Sequence, residues 1–409
     1  MKKKLFLSFI DQGIVSLSNF LLIIFLARIL DKAEFGFISF LLFIGVLINN
    51  THVSLITQPH NVIAAKLGRR YYEKYTSGLF GLNILFIILL VLSSIIIYFL
   101  HYFQLITLYD EVAFIVFSLL YLTIKQMQDF FRRLLFTSGH IDELLLSDII
   151  AYGGSILFIL MAYYFDITLL YEVIVLISIP YVLSTIYLLK KNTIKYRLNQ
   201  KEMVMAYKKS YDFARWAFLS TLTSWVGTRI FPITLGIFVN METVAVYAVL
   251  MNIINTLNPL FYTLTNFLTT VFAKMLQKSN VLKQTLNVFL ASLPIVIVAI
   301  IILFVYAKDI LFFLYGPKYV EYAQLLKYIS FSILLIGIAN ILQLYLRALK
   351  HVKYIFQAFL FSSFFTLTIG TYLIYTYQIE GAVLAFVLSW VVADILLGLY
   401  VFRAHKAKM

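Results

Sequence analysis

"ILDKAEFGFISFLLFI", residues 29–44, reads as the turn of a membrane hairpin. An apolar run ends at Leu30, a polar turn of Asp31, Lys32 and Glu34 follows, and apolar residues resume around Gly36. "FVNMETVAVYAVLMNI", residues 238–253, aligns with it without gaps at an offset of 209. It too ends an apolar run, turns through polar residues and re-enters with a small residue, Ala245. A second pair, "RLLFTSGHIDELLL" (133–146) and "RALKHVKYIFQAFL" (347–360), supplies two further turns that each begin with Arg. A chain that repeats itself in one sense predicts two halves related by an axis along the membrane normal.

The residues around these turns carry the same message. Of 409 residues, 62% are hydrophobic and only 13% charged, whereas a water-soluble domain is about a quarter charged. Apolar stretches of roughly 20 residues recur along the chain, the length of a helix that spans a bilayer. An outer-membrane barrel would show short alternating segments instead. Twelve spans are predicted, near 9–30, 35–56, 77–100, 112–135, 144–165, 169–189, 213–239, 243–272, 285–307, 323–346, 353–376 and 380–402. The fourth, seventh and eighth are the least uniformly apolar. The start, "MKKKLFLSFIDQG", has a basic run, but Asp11 and Gln12 interrupt the apolar segment, so it reads as a retained first helix.

Sorting Lys and Arg by loop sets the orientation. Of 33 basic residues, 26 fall on one side, five on the other, and Lys125 and Arg229 within spans. Cytoplasmic loops hold the excess, so both termini are expected in the cytoplasm. The net charge of +14 is thereby a topology signal, and no nucleic-acid partner is called for. The longest loop on the basic side follows the sixth span. The expected architecture is an all-α integral membrane protein of twelve transmembrane helices in two pseudo-symmetric six-helix bundles. These are residues 1–190 and 213–409, joined by a cytoplasmic linker, 191–212.

Several chemistries are excluded. With no cysteine, disulfides, thiolate metal sites and thiol nucleophiles are absent. Neither a phosphate-binding G-x-x-x-x-G-K-[ST] loop nor a G-x-S-x-G elbow occurs, and no His pair has metal-ligand spacing. No cofactor and no metal are expected.

Charges inside spans cost about 3 kcal/mol on insertion scales, so each demands a partner or a cavity. Arg229, in "SWVGTRIFPITLGIF" (224–238), lies roughly 20 Å from one end of its span and roughly 15 Å from the other. It is either a cation facing an anionic substrate or a group held by the Thr228 carbonyl that Pro232 frees. Lys125, Gln128, Asp129 and Arg132 share one helix face, where Lys125 and Asp129 are placed to pair. That face is a titratable lining or a neutralised structural stripe. Asp11, Asp148 and Asp394 join Asp129 as candidates for coupling or gating, with ion pairs to nearby basic residues as the alternative. Asn19, with Gln12 and Ser16, then Asn49 and His52, then Asn252 and Asn255 with Pro259, Thr263 and Asn266, form uncharged polar faces. Such faces suit a hydrated sugar path or hydrogen bonds between helices. Arg28, at the end of the first span, snorkels to the surface or touches substrate.

"LARILDKAEFGFISF" (26–40) resembles the first hairpin of Wzx-type polysaccharide flippases. These belong to the multidrug/oligosaccharidyl-lipid/polysaccharide exporter superfamily, together with MATE exporters and lipid II flippases. "FLYGPKYVEYAQLL" (313–326) resembles that family's outer loop between helices 9 and 10, and "NILQLYLRALKHVKY" (340–354) its following turn. The resemblance implies a bacterial inner-membrane flippase that moves an undecaprenyl-diphosphate-linked oligosaccharide to the outer leaflet by alternating access. It also implies a cation gradient of H+ or Na+, service to polysaccharide or lipopolysaccharide O-antigen assembly, and work beside other glycan-assembly membrane proteins. Arg229, Lys125, Arg28, Asn19, Asn49, His52, Asn252 and Asn255 would then meet this substrate. A MATE-like antiporter of cationic drugs would want a cavity of carboxylates, and a glycan polymerase or ligase a sizeable outer loop. Arg229 and the short outer loops weigh against both.

Overall fold

A computed structural model describes residues 2–64, 67–191, 198–256, 278–349 and 351–406. Among them the chain is helical throughout, and its elements follow the predicted order. These are α1 (Lys2–Ile29), α2 (Lys32–His52, continuing to Ile63), α3 (Arg69–Tyr102), α4 (Glu111–Val116, continuing to Ser138), α5 (Ile141–Asp148, continuing to Tyr164) and α6 (Leu170–Lys191). The second half holds α7 (Gln200–Arg229 and Phe231–Phe238), α8 (Met241–Asn255), α9 (Lys278–Val305) and α10 (Ala323–Ser330 and Ser332–Ala348). A short helix, Ala307–Tyr315, and a 3₁₀ turn, Pro317–Tyr322, connect α9 to α10. The final helical run from Val352 to Lys406 is broken at Gln378, whose φ of 49° and ψ of −121° make a hairpin turn. It therefore contains α11 (352–377) and α12 (379–406).

Eight stretches of the described residues are long and apolar enough to cross a membrane, the last of them holding both α11 and α12. The helices outside this set are α4 and α7, whose sequences mix polar residues into the span, and α8, whose described part, Met241–Asn255, is a shorter apolar helix. The described residues thus hold twelve principal helices, as expected of a multi-pass membrane protein.

The repeat seen in sequence recurs as paired local structures. Asp31 accepts a hydrogen bond from the Glu34 amide at 2.7 Å, and the Glu34 carboxylate returns one from the Asp31 amide at 3.1 Å. This closes a capping box at the start of α2. At the equivalent position 209 residues on, Asn240 accepts from the Thr243 amide at 2.9 Å and caps α8. At the other pair of turns, Arg133 bonds Asp129 one helical turn back at 2.7 Å, and Arg347 bonds Gln343 one turn back at 3.0 Å. α5 and α11 each contain a single π turn, Ile149–Gly153 and Thr366–Gly370.

The chain divides into two compact units, Met1–Leu30 with Leu41–Leu222, and Asp31–Phe40 with Thr223–Met409. In the first unit, α7 begins at Gln200, well before its predicted span, because its amphipathic start has a surface to cover. Ser210 bonds the Tyr75 hydroxyl at 2.8 Å, and Ala206 is fully buried. Gly78 of α3 permits this approach, since a Cβ there would lie 2.2 Å from the Glu202 carbonyl oxygen. In the second unit, α2 meets α8 as closely. A Cβ on Gly36 would stand 1.7 Å from the Met241 carbonyl oxygen, so only glycine fits.

Candidate functional site

The first unit buries three aspartates, one each on α1, α4 and α5. Arg132 of α4 bonds Asp148 of α5 through Nε at 2.6 Å and Asp11 of α1 through Nη2 at 3.1 Å. The Asp148 side chain is completely buried and that of Asp11 is 7% exposed. A two-carboxylate clamp on one guanidinium is the geometry Arg provides and Lys does not. Polar side chains extend the network. Gln128 Nε2 lies 3.5 Å from both Asp148 Oδ1 and Ser184 Oγ, and Ser184 also bonds Ser147. Each of the three first-unit aspartates proposed for coupling thus holds an Arg, Asp129 taking Arg133.

The expected pairing of Lys125 with Asp129 is not formed. Asp129 turns to Arg133, one helical turn further on, whose guanidinium offers a stronger charge-assisted bond. Lys125 turns the other way. Its Nζ donates to the Tyr121 hydroxyl at 2.8 Å and lies 5.0 and 5.1 Å from the centres of the Tyr121 and Tyr181 rings. Tyr152 packs edge-on against Tyr181 at 5.6 Å and completes an aromatic wall. A desolvated cation against ring faces gains about 2 kcal/mol. Two π turns build this wall: Phe117–Leu122 carries Tyr121 and Ile149–Gly153 carries Tyr152. Such turns often mark functional positions. Helical spacing marks Lys125 as a charge within a span but not its tyrosines, because Tyr181 and Tyr152 come from other helices and Tyr121, one turn back, is one of many apolar-looking rings.

The polar face of α2 that carries His52 suits a hydrated path or hydrogen bonds between helices, and His52 takes the second. It is fully buried, its Nε2 2.7 Å from the Asn83 oxygen of α3, with the Phe86 ring 5.3 Å away. The residue closes a contact between helices. Asn49, one turn earlier, is half-buried, and its side-chain oxygen lacks a hydrogen bond. On α1, Asn19 is exposed, as are Gln12 and the Arg28 side chain at the far end.

In the second unit, Arg229 ends the first segment of α7, and Ile230 leads into the second, with Pro232 in its first turn. Its flank is closed: Trp225, Gly227, Thr228 and Phe231 are all buried. Arg229 itself is exposed. The Thr228 carbonyl does not take it; Thr228 directs its hydroxyl to the Ser224 carbonyl at 2.7 Å. On α8, Asn252 bonds the Tyr315 hydroxyl at 2.8 Å, and Asn255 is half-buried. The stripe was to continue through Pro259, Thr263 and Asn266, which lie outside the described residues. Asp394 of α12 has both oxygens buried.

No family model and no curated protein matches the chain. Solved structures do. An inward-facing multidrug resistance MATE family transporter of the MOP superfamily superposes with a TM-score of 0.77 at 11% identity. The match covers 98% of this chain and 99% of that one. The lipid II flippase MurJ in its inward closed conformation gives 0.77 at 13% identity, covering 98% and 88%. A MOP superfamily transporter from Pyrococcus furiosus, described as having a binding pocket of reversed polarity, gives 0.63 at 14% over 98% and 94%. The fold is that of the MOP-superfamily transporters. At these identities the likeness carries architecture alone, so chemistry must come from this chain's own side chains.

Proposed function

We propose that the protein is a flippase for polyprenyl-diphosphate-linked oligosaccharides, working by alternating access in a bacterial inner membrane with both termini in the cytoplasm. The observation that carries this reading is Arg229. It is a permanent cation in a membrane span, exposed where its neighbours are buried, with no carboxylate bound to it among the described residues. An unneutralised guanidinium at that depth calls for water and an anion, and its planar fork matches phosphate oxygens. Lys125 is a second cation with aromatic rather than carboxylate neighbours. The exposed Asn19 and Gln12 of α1 would serve a glycan.

The carboxylates speak against a cationic-drug exporter. Asp11, Asp129 and Asp148 are each occupied by an Arg, which leaves none of these three bare for a cationic ligand. In this reading those pairs belong to the coupling machinery, rearranged as a cation passes, and the product serves surface-glycan assembly such as O-antigen.

The test is a chromosomal deletion followed by lipid extraction and complementation. Lipid-linked oligosaccharide accumulating on the cytoplasmic leaflet, relieved by wild type and not by Arg229→Ala, is the expected outcome. Normal surface glycan together with drug sensitivity would overturn the proposal.

A further inference from the structure

Asp394 differs from every other aspartate discussed above. Both its carboxylate oxygens are closed to solvent, and neither receives a hydrogen bond. One turn earlier on the same helix, the Trp390 indole nitrogen is closed off and unbonded too. Removing an unpaired carboxylate from water costs far more than removing a neutral acid, so such a group sheds its charge by binding a proton. Burial within a membrane-spanning helix sharpens the same argument.

The titratable groups of the elements packed on α12 are bonded elsewhere or exposed. On α10, Tyr345 bonds His405 of α12 at 3.2 Å and Arg347 bonds Gln343 at 3.0 Å. In the same helix's first segment, Lys327 lies over the Phe304 ring at 5.1 Å and Tyr328 accepts from Gln324 at 3.0 Å. On α11, Lys353 is exposed, and Tyr354 stacks on Tyr400 of α12 at 4.8 Å and on His351 at 5.4 Å. Tyr247 of α8 packs against Phe231 and Phe386. Arg229 of α7 and Arg403 of α12 are exposed. None of them bonds Asp394. Asp148, by contrast, is the more deeply buried of the two and holds Arg132 at 2.6 Å.

We propose that Asp394 is a proton-binding site of the second unit, carried as the neutral acid in this conformation. One proton moves from water onto a carboxylate oxygen and later returns to water; no other bond forms or breaks. Protonation favours the packed arrangement of α10, α11 and α12, and ionisation favours one that admits water to Asp394. A proton gradient could thereby act on the second unit, a consequence that rests on the transport reading. The protonation itself does not.

The experiment is infrared spectroscopy on the purified full-length protein in lipid nanodiscs, with 13C-labelled aspartate, at neutral pH. Wild type should show a protonated carboxyl band at the labelled position that Asp394→Asn lacks. Its melting temperature should also fall as pH rises from about 6 to 9, a slope that the Asn variant flattens, because the folded state holds a proton the unfolded state has released. Should Asp394→Asn fail to fold, Asp394→Glu moves the band from the labelled to the unlabelled position. Identical spectra in wild type and variant, with identical pH profiles, overturn the proposal. The result is independent of glycan export, so it can fail while the flippase reading stands, and the reverse.

Discussion

The two repeats share a backbone plan and fill it with different chemistry. At the turn after α4 the chain carries Lys125, Gln128, Asp129, Arg132 and Arg133. At the equivalent turn after α10, 214 residues on, it carries Ala339, Leu342, Gln343, Leu346 and Arg347. Asp148 has Ser362 as its counterpart, and Asp11 has Ser220 in the offset of the first hairpin. What is an ion network on one side is therefore hydrocarbon and hydroxyl on the other. Leu346 and Ala339 are fully buried in the core of α10, α11 and α12. Ser362 spends its hydroxyl on the Ser389 carbonyl at 2.9 Å. The same helical plan accommodates either filling, so we expect the network around Arg132 to be dispensable for holding the bundle together. Buried ion pairs seldom stabilise more than an apolar replacement of equal volume.

Transplanting the second repeat's residues into the first tests that conclusion most severely. Arg132→Leu alone strands Asp11 and Asp148 and should cost about 3–5 kcal/mol, read as loss of monodisperse protein in a thermal melt. The triple variant Asp11→Ser, Arg132→Leu, Asp148→Ser removes the stranded charges and should recover most of that stability while abolishing transport. A triple variant that exports normally would show the network to be structural. Arg229→Ala should retain wild-type melting and lower glycan export roughly a hundredfold, equivalent to about 2.7 kcal/mol. Arg229→Lys should fall between the two, because it keeps the charge and loses the fork. Gly36→Ala should destabilise by about 1–3 kcal/mol through its collision with Met241, whereas Ala245→Gly at the equivalent site should cost about 1 kcal/mol. The smallest effect is expected at the Lys32–Glu321 pair, 2.8 Å apart with Glu321 61% exposed. Glu321→Ala should change stability by less than about 1 kcal/mol.

The sequence by itself determined the twelve helices, their order and the existence of the repeat. Apolar length and loop chemistry are local properties, and a bilayer turns them directly into spans. It also singled out Arg229 and the polar face of α4, because a charge within an apolar run is conspicuous without coordinates. Tertiary structure decided which charges meet. Asp11 and Asp148 lie 137 positions apart, and nothing along the chain shows that both grip Arg132. The π turns that gather tyrosines around Lys125 depend on packing, as does the burial of His52 against Asn83. Asp394 is the plainest case. Its aspartate is legible in the sequence, but its lack of any partner depends on three helices brought together by the fold. Periodicity tells which face a residue occupies; only the packed neighbours tell whether its charge is answered.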